Sequence, residues 1–265
     1  MIKEYGIKDW NSFIQTICEI ANHQEYRMWY RGQADYEWGL IPSVQRPEYH
    51  KKGNEQYMAT NFMIYTMRLN GEAPAQYDRS SWLSLMQHYG LPTRLLDWSE
   101  SPLVALYFAL NSQLEKDAAL WVVNPMRLNQ KMGYGKYVPP MNYGGVNEYL
   151  EGAFDDKRPN SEKIIACHGI GSDLRMYVQQ SNFTIHDTQR RLDQILDKDP
   201  GCNYLYKIRI PAQIKREFVK ELNVLGIHDS TVYPDMEHVA KEQRQLFKKF
   251  VKRLTKYGNH DTVQI

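Results

Sequence analysis

Apolar residues recur along the chain with two periods, one typical of helices and one typical of strands. The helical period predicts a helix that begins at Ser80 or Ser81 and ends at Tyr89, and an almost wholly apolar helix that begins at Ser101-Pro102. It also predicts helices over residues 11–21, 54–69, 212–225 and 235–256.

Short apolar and aromatic runs predict strands over residues 28–33, 93–98, 118–123, 163–167, 176–180, 183–185 and 204–210. The strands 176–180 and 183–185 are expected to pair around a turn at Ser181 and Asn182. Residues 133–152 are rich in Gly, Pro, Tyr and Asn and are expected to form a long excursion or flap. Because helices and strands interleave without a regular βαβ order, we expect one α+β domain over residues 1–265, with its core at about 24–245.

Composition narrows the class of protein. Hydrophobic residues make up 42% of the chain, enough for a core, and the net charge of +2 neither requires nor excludes a nucleic-acid partner. Cys18, Cys167 and Cys202 lie too far apart to indicate a zinc site or a disulfide framework. Since there is no signal-peptide pattern and no apolar run long enough to cross a membrane, we expect a cytoplasmic protein with no membrane partner.

The first candidate site residue is Arg31, which follows two aromatic residues at the end of a predicted strand. An arginine fork suits phosphate or carboxylate, and the neighbouring Gly32 would let a ligand approach the backbone. An ion pair that stabilises a turn explains Arg31 equally simply. The residue type alone does not decide between the two.

A second cluster lies in residues 82–110, where polar residues surround a strand-to-helix corner. Asp97 and Arg94 are three apart on the predicted strand, so they face opposite sides and need different partners. Ser99 is either a ligand contact at the start of the helix or a helix cap. His88, at the end of the preceding helix, either binds a ligand or satisfies carbonyls there.

Later in the chain, Gln179 and Gln180 point to opposite faces of the predicted strand, so one of them faces the core or a cleft. Asp235 and Glu237 open the last helix, where acidic residues favour the helix dipole; a catalytic carboxylate is the minority interpretation. No GxSxG, HExxH, GxGxxG or P-loop pattern is present. The residues alone therefore predict an α+β domain with a polar cleft.

Four sequence blocks resemble the FRG domain family, named for its (F/Y)RG motif. They are WYRGQ, QHYGLPTRLLDWSESPLVALYFA, RMYVQQSNFTIH and GIHDSTVYPDMEHVA. A more distant resemblance extends to ADP-ribosyltransferases, in which an early arginine, a strand-to-helix serine block and a later strand glutamate form the site. Arg31 and Asp97-Trp98-Ser99 match the first two elements, whereas Gln179 or Gln180 stands where the glutamate is expected, with Glu162 and Glu237 as substitutes.

This resemblance implies a split, mixed or antiparallel sheet flanked by helices, and NAD as the substrate, with no metal. The implied catalytic residues are Arg31, Gln180, Glu237 and His88. The implied NAD-binding residues are Tyr30, Arg31, Gly32, Gln33, Arg94, Asp97, Trp98, Ser99 and Tyr107. The acceptor would be RNA or protein, and the protein would act as a toxin or phage-defence effector, with an antitoxin as a partner.

Two other functions remain open from the residues. The missing strand glutamate, the aromatic content and the basic end of the last helix also fit a non-catalytic module that binds RNA or a nucleotide. A nuclease that uses His88 together with Asp97 is the third option, ranked last because no second histidine or carboxylate cluster accompanies the pair.

Overall fold

A computed structural model of the protein describes residues 2–22, 24–69, 73–155, 161–171 and 173–257. All its named strands belong to one sheet, in the order β1-β7-β4-β2-β3-β6-β5. The strands are β1 (Lys3–Gly6), β2 (Trp29–Gln33), β3 (Leu95–Ser99), β4 (Ala118–Val123), β5 (Lys163–His168), β6 (Ser181–Asp187) and β7 (Leu205–Ile210). β1 and β7 are parallel and the other neighbours are antiparallel, so the predicted α+β class with a mixed sheet is confirmed.

Helices flank this sheet. They are α1 (Trp10–Asn22), α2 (Asn54–Leu69), α3 (Arg79–His88), α4 (Pro102–Leu110), α5 (Pro125–Lys131), α6 (Asn147–Glu151), α7 (Leu174–Gln179), α8 (Leu192–Asp197), α9 (Ala212–Val224), α10 (Asp229–Val232) and α11 (Met236–Tyr257). None of the helices in the described ranges is long and apolar enough to cross a membrane.

The sheet opens between β2 and β3. These two strands share one paired position, Tyr30 with Ser99, whereas β2 pairs with β4 at five positions and β3 pairs with β6 at five. Pairing is therefore weakest at this junction, which joins the halves β1-β7-β4-β2 and β3-β6-β5 of the one sheet.

Three apolar clusters hold the layers together. The first packs α1, α4 and α9 on one face of the β1-β7-β4-β2 half, with Phe13, Leu106 and Phe218 at its centre. The second covers the opposite face around Trp29, and the third lies between α3, α6 and the β3-β6-β5 half around Trp82. The burial of large side chains on both faces makes this sheet a rigid support for whatever lies at its opening.

Helix α4 crosses β2 at Gly32. A Cβ atom at this position would lie 1.8 Å from the carbonyl oxygen of Ala105 and 2.6 Å from the amide nitrogen of Ala109. Gly32 is thus required by the close approach of helix and strand. The α4 backbone occupies the space that a side chain at this position would need, and Gly32 also borders the cavity between β2 and β3.

Residues 174–179 form helix α7, so the prediction of a strand over 176–180 is wrong. Asp173 caps the helix by accepting a hydrogen bond from the amide of Arg175, and Gln180 ends it in the left-handed conformation at φ 48°. The chain then enters β6 directly at Ser181, without the predicted turn. A local cap thus overrides an apolar alternation that is compatible with a strand.

Residues 133–152 do not form a loose flap. Met141, Val146, Tyr149 and Leu150 are almost fully buried in the third apolar cluster, and the segment contains helix α6. The glycine and proline content correctly indicated turns, but it gave no sign that these four residues would be buried in the core. The start of α3 also differs from the prediction, because Asp78 caps it instead of Ser80 or Ser81.

Candidate functional site

A cavity of about 350 Å³ lies at the opening between β2 and β3. This volume is at the small end of the range for ligand pockets. The polar and aromatic residues that line it include Arg31, Trp38, Arg46, Gln87, Asp97, Ser99, Arg175, Gln179 and Tyr233. We refer to it as the β2–β3 pocket.

Arg31 bridges the opening. Its Nη1 atom donates a hydrogen bond of 2.8 Å to the backbone oxygen of Asp97 and lies 3.8 Å from Oδ2 of the same residue. Its Nε atom is buried and has no hydrogen-bond partner. Burial lowers the pKa of the guanidinium and Asp97 raises it, but an arginine keeps its charge at neutral pH. Arg31 therefore brings an incompletely satisfied cation to the pocket.

Asp97 supplies the opposite charge. Gln87 Nε2 donates to both carboxylate oxygens, at 2.9 Å and 2.8 Å, and the Gln87 side-chain oxygen in turn accepts a hydrogen bond from Thr93. This chain of bonds fixes the amide and orients the carboxylate. The Asp97 side chain is nevertheless 52% exposed. Among the described residues that line the pocket, Asp97 is the only carboxylate.

The remaining walls are basic and aromatic. Arg46 and Arg175 join Arg31 around the cavity, so three cations face one carboxylate. The Arg175 guanidinium lies 4.8 Å from the centroid of the Tyr233 ring, and the His238 ring stacks on the same tyrosine at a centroid distance of 4.4 Å. A partly desolvated site with this excess of positive charge favours an anionic ligand with a planar group.

Ser99 is both a structural and a lining residue. Its hydroxyl donates to the backbone oxygen of Gln179 at 2.6 Å and accepts from the amide of Ser101 at 3.0 Å. Ser101, and not Ser99, caps α4 through the amide of Val104. Ser99 thus ties the end of β3 to α7 and shapes one side of the pocket.

Gln33 and Trp98 border the β2–β3 pocket as predicted, but their side-chain hydrogen bonds are made elsewhere, and Tyr107 lies outside it. The Trp98 indole donates to Thr184 within the second apolar cluster, and Gln33 accepts from Trp121 and donates to Gly39. Tyr107 donates to Asp229 and lines a different cavity. Tyr30 does line the β2–β3 pocket, although it is only 5% exposed.

Arg94 lies outside the β2–β3 pocket. It pairs with Glu55 at 2.8 Å and with Asp187 at 2.7 Å, and it also donates to the Tyr149 carbonyl. Its side chain is 6% exposed. The expectation that Arg94 and Asp97 have separate partners is confirmed, but the partners of Arg94 are structural.

The predicted catalytic residues are dispersed. His88 pairs with Asp173, not with Asp97, which removes the basis of the nuclease option. Its backbone oxygen accepts from Arg175, so His88 supports a wall of the pocket from behind. Gln180 is exposed at the end of α7, and Glu237 is exposed in the first turn of α11. Neither of them, nor Glu162, is among the residues that line the pocket.

Several lining residues were missed by the sequence analysis, chiefly Arg46, Gln87 and Arg175. Gln87 lies in the same block as Asp97, and a search for amide donors near that carboxylate could have found it. Arg175 is the first residue of the block RMYVQQSNFTIH, whose length gave no reason to single it out, and no local pattern marks Arg46. Within the described ranges, no group of three or more His, Cys, Asp or Glu residues could hold a metal ion.

The family model of the FRG domain matches residues 26–118. This segment contains β2, α3, β3 and α4, and therefore both Arg31 and Asp97. The match supports the FRG resemblance for the part of the chain that builds the opening in the sheet. No curated protein and no solved structure matches the chain.

Proposed function

We propose that the β2–β3 pocket binds NAD as a substrate and that the protein is an ADP-ribosyltransferase-like enzyme that modifies a macromolecule. One observation carries the proposal. An arginine with an unpaired buried donor and a carboxylate with a fixed orientation meet where the sheet divides. Such a pair can bind a phosphate with one group and stabilise a developing positive charge with the other.

Arg31 is the proposed phosphate-binding residue. The Nη hydrogens that Asp97 leaves free suit two oxygens of a pyrophosphate, and Arg46 and Arg175 add positive charge to the same cavity. A cavity of about 350 Å³ accommodates only part of a dinucleotide, so we assign it to the nicotinamide ribose and the phosphate attached to it.

Asp97 is the proposed carboxylate of the reaction. The glycosidic bond between the ribose and nicotinamide breaks, and nicotinamide leaves with the bonding electron pair. The ribose then carries an oxocarbenium-like charge, which a nearby carboxylate stabilises. The acceptor forms the new bond at the same carbon and loses a proton, for which Asp97 is the proposed base. In this scheme, Asp97 replaces the missing strand glutamate, and Gln180 and Glu237 have no part.

The test measures NAD binding by calorimetry and nicotinamide release by chromatography for the wild type and matched variants. We expect Arg31→Met to weaken NAD binding about tenfold or more, because a charge-assisted hydrogen bond contributes about 1.5–3 kcal/mol. Asp97→Asn keeps the shape and should retain binding while slowing release by about a hundredfold. Arg216→Met removes an arginine that is 69% exposed and should change neither quantity. Failure of the wild-type protein to bind or cleave NAD would refute the proposal.

The acceptor is proposed to be RNA or protein, in keeping with a toxin or phage-defence role and an antitoxin partner. Transfer of label from NAD to the RNA or to the protein fraction of a cell extract distinguishes the two acceptors. Loss of transfer in Asp97→Asn would show that the label arrives through this pocket.

A second candidate is a non-catalytic module that binds RNA or a nucleotide in the same pocket. The observation in its favour is the exposure of Trp38, 48% of whose surface is accessible beside three arginines, a combination that suits base stacking and phosphate contacts. Steep salt dependence of RNA binding without nicotinamide release would favour this function.

A further inference from the structure

Helix α11 exposes an apolar stripe. Met236, Phe247, Phe250 and Leu254 are 83%, 65%, 56% and 54% exposed, and the smaller Val239 and Val251 are also exposed. Single exposed apolar residues are ordinary, but a stripe of this length on one helix indicates an interaction surface. No other element in the described part of the chain covers these side chains.

The helix is attached to the protein by a different edge. Glu242 pairs with His228 at 2.9 Å and accepts from the amide of Ser230, and Lys241 pairs with Asp229 at 3.0 Å. Farther along, Leu246 and Lys249 line a cavity next to α9. At 3.6 residues per turn, this edge is adjacent to the stripe, which is therefore left facing outward.

The spacing of the stripe is that of a helix-pairing seam. Met236, Ala240, Gln243, Phe247, Phe250 and Leu254 follow one another at alternating intervals of four and three residues. A polar residue such as Gln243 in the middle of a seam specifies the register between two helices. The same residue would be costly in the apolar part of a lipid layer. The pattern therefore favours a helical occupant.

The charged residues of α11 indicate the charge of the helix that would bind to the stripe. Residues 243–257 contain six basic residues, at 244, 248, 249, 252, 253 and 256, and no acidic residue. A second copy in parallel orientation would bring the basic residues of the two helices together. An antiparallel copy would offer them only Glu237 and Glu242, and Glu242 is already paired with His228. An acidic helix avoids this repulsion and pairs with Arg244 and Lys248, which lie beside the stripe.

We propose that the apolar stripe of α11 is the docking surface for an acidic amphipathic helix of another protein. The apolar face of that helix covers Phe247, Phe250 and Leu254, and its carboxylates lie against Arg244 and Lys248. The inference does not depend on the ligand of the β2–β3 pocket, because no residue of the stripe lines that pocket.

The probe is a labelled synthetic helix three heptads long, with leucine in the seam and glutamate at the flanking positions. Fluorescence anisotropy should show binding in about the micromolar range, weakened about tenfold or more by high salt. The double substitution Phe247→Ser with Phe250→Ser should reduce binding at least tenfold, as should Arg244→Glu with Lys248→Glu. Tyr57→Ser, which replaces an aromatic residue that is 72% exposed on α2, is the matched control and should bind normally.

A scrambled peptide of the same composition separates a helix seam from general charge attraction. Equal binding of the scrambled peptide, or unchanged binding by the Phe247→Ser, Phe250→Ser variant, would overturn the proposal. Sedimentation equilibrium and vesicles of phosphatidylglycerol test the other occupants. A dimer that the same double substitution dissociates, or binding to vesicles but not to the peptide, would also overturn it.

Discussion

Arg31 lies on β2 and Arg94 immediately precedes β3, but the surroundings of their two guanidinium groups are very different. Arg94 has two carboxylates and a backbone oxygen within hydrogen-bond distance and is 6% exposed. Arg31 has one backbone oxygen at 2.8 Å, a carboxylate at 3.8 Å and a buried Nε atom with no partner. An arginine whose donors are satisfied holds the fold together, whereas one with donors left over is available to a ligand.

The largest effect is expected from Arg94→Met. Removal of this guanidinium leaves Glu55 and Asp187 buried without their cation, so the free energy of unfolding should fall by about 3–5 kcal/mol. Urea unfolding followed by circular dichroism measures this change. Arg216→Met is the surface control and should stay within about 0.5 kcal/mol of the wild type. If Arg94→Met lowered the free energy of unfolding by less than about 1 kcal/mol, the two arginines would not differ in their contribution to stability.

The two arginines also show how much of the site could be predicted from the sequence. The strand at Arg31 and the corner at Asp97 could be predicted, because aromatic runs, Ser101 and Pro102 are local signals. The role of Arg94 could not, since its partners Glu55 and Asp187 lie 39 and 93 residues away in the chain. The opening between β2 and β3 that gives Arg31 its spare donors is likewise a property of strand pairing over a distance.

A smaller effect concerns His186, whose charge state responds to both arginines. Burial, and then the charges of Arg31 and Arg94, lower its pKa to about 3 from an ordinary value of 6.5. The unfolded chain therefore binds a proton below pH 6.5 that the folded protein excludes, so stability is lost as the pH falls toward 3. Between pH 6.5 and 4.5 this loss amounts to about 2 kcal/mol.

His186→Gln should lack this component and lose correspondingly less stability over the same pH interval, measured by urea unfolding at each pH. His50→Gln, at an exposed histidine, is the control and should behave as the wild type does. NMR titration of His186 compares the two arginines directly. The pKa of His186 should rise more in Arg31→Met than in Arg94→Met. The reverse order would show that Arg94 dominates the potential at this site.

The smallest effect on stability is expected from Arg31→Met. The guanidinium is desolvated without a full set of partners, so an apolar side chain of similar length should change the free energy of unfolding by less than about 1 kcal/mol. Urea unfolding checks this value on the same preparation used for NAD binding. A loss as large as that of Arg94→Met would mean that Arg31 is structural, and any loss of binding would then report on damage to the fold.

The bond from Arg31 to the Asp97 carbonyl has a thermodynamic consequence. In a closed sheet, an amide of the neighbouring strand would occupy that acceptor; here a side chain provides one rung of the ladder. A ligand that draws the guanidinium away removes this rung and frees the edge of β3. Ligand occupancy and the separation of the two half-sheets are then linked equilibria, each shifting the other by the same factor. The rate of amide hydrogen exchange along β3 should therefore change when a ligand occupies the pocket.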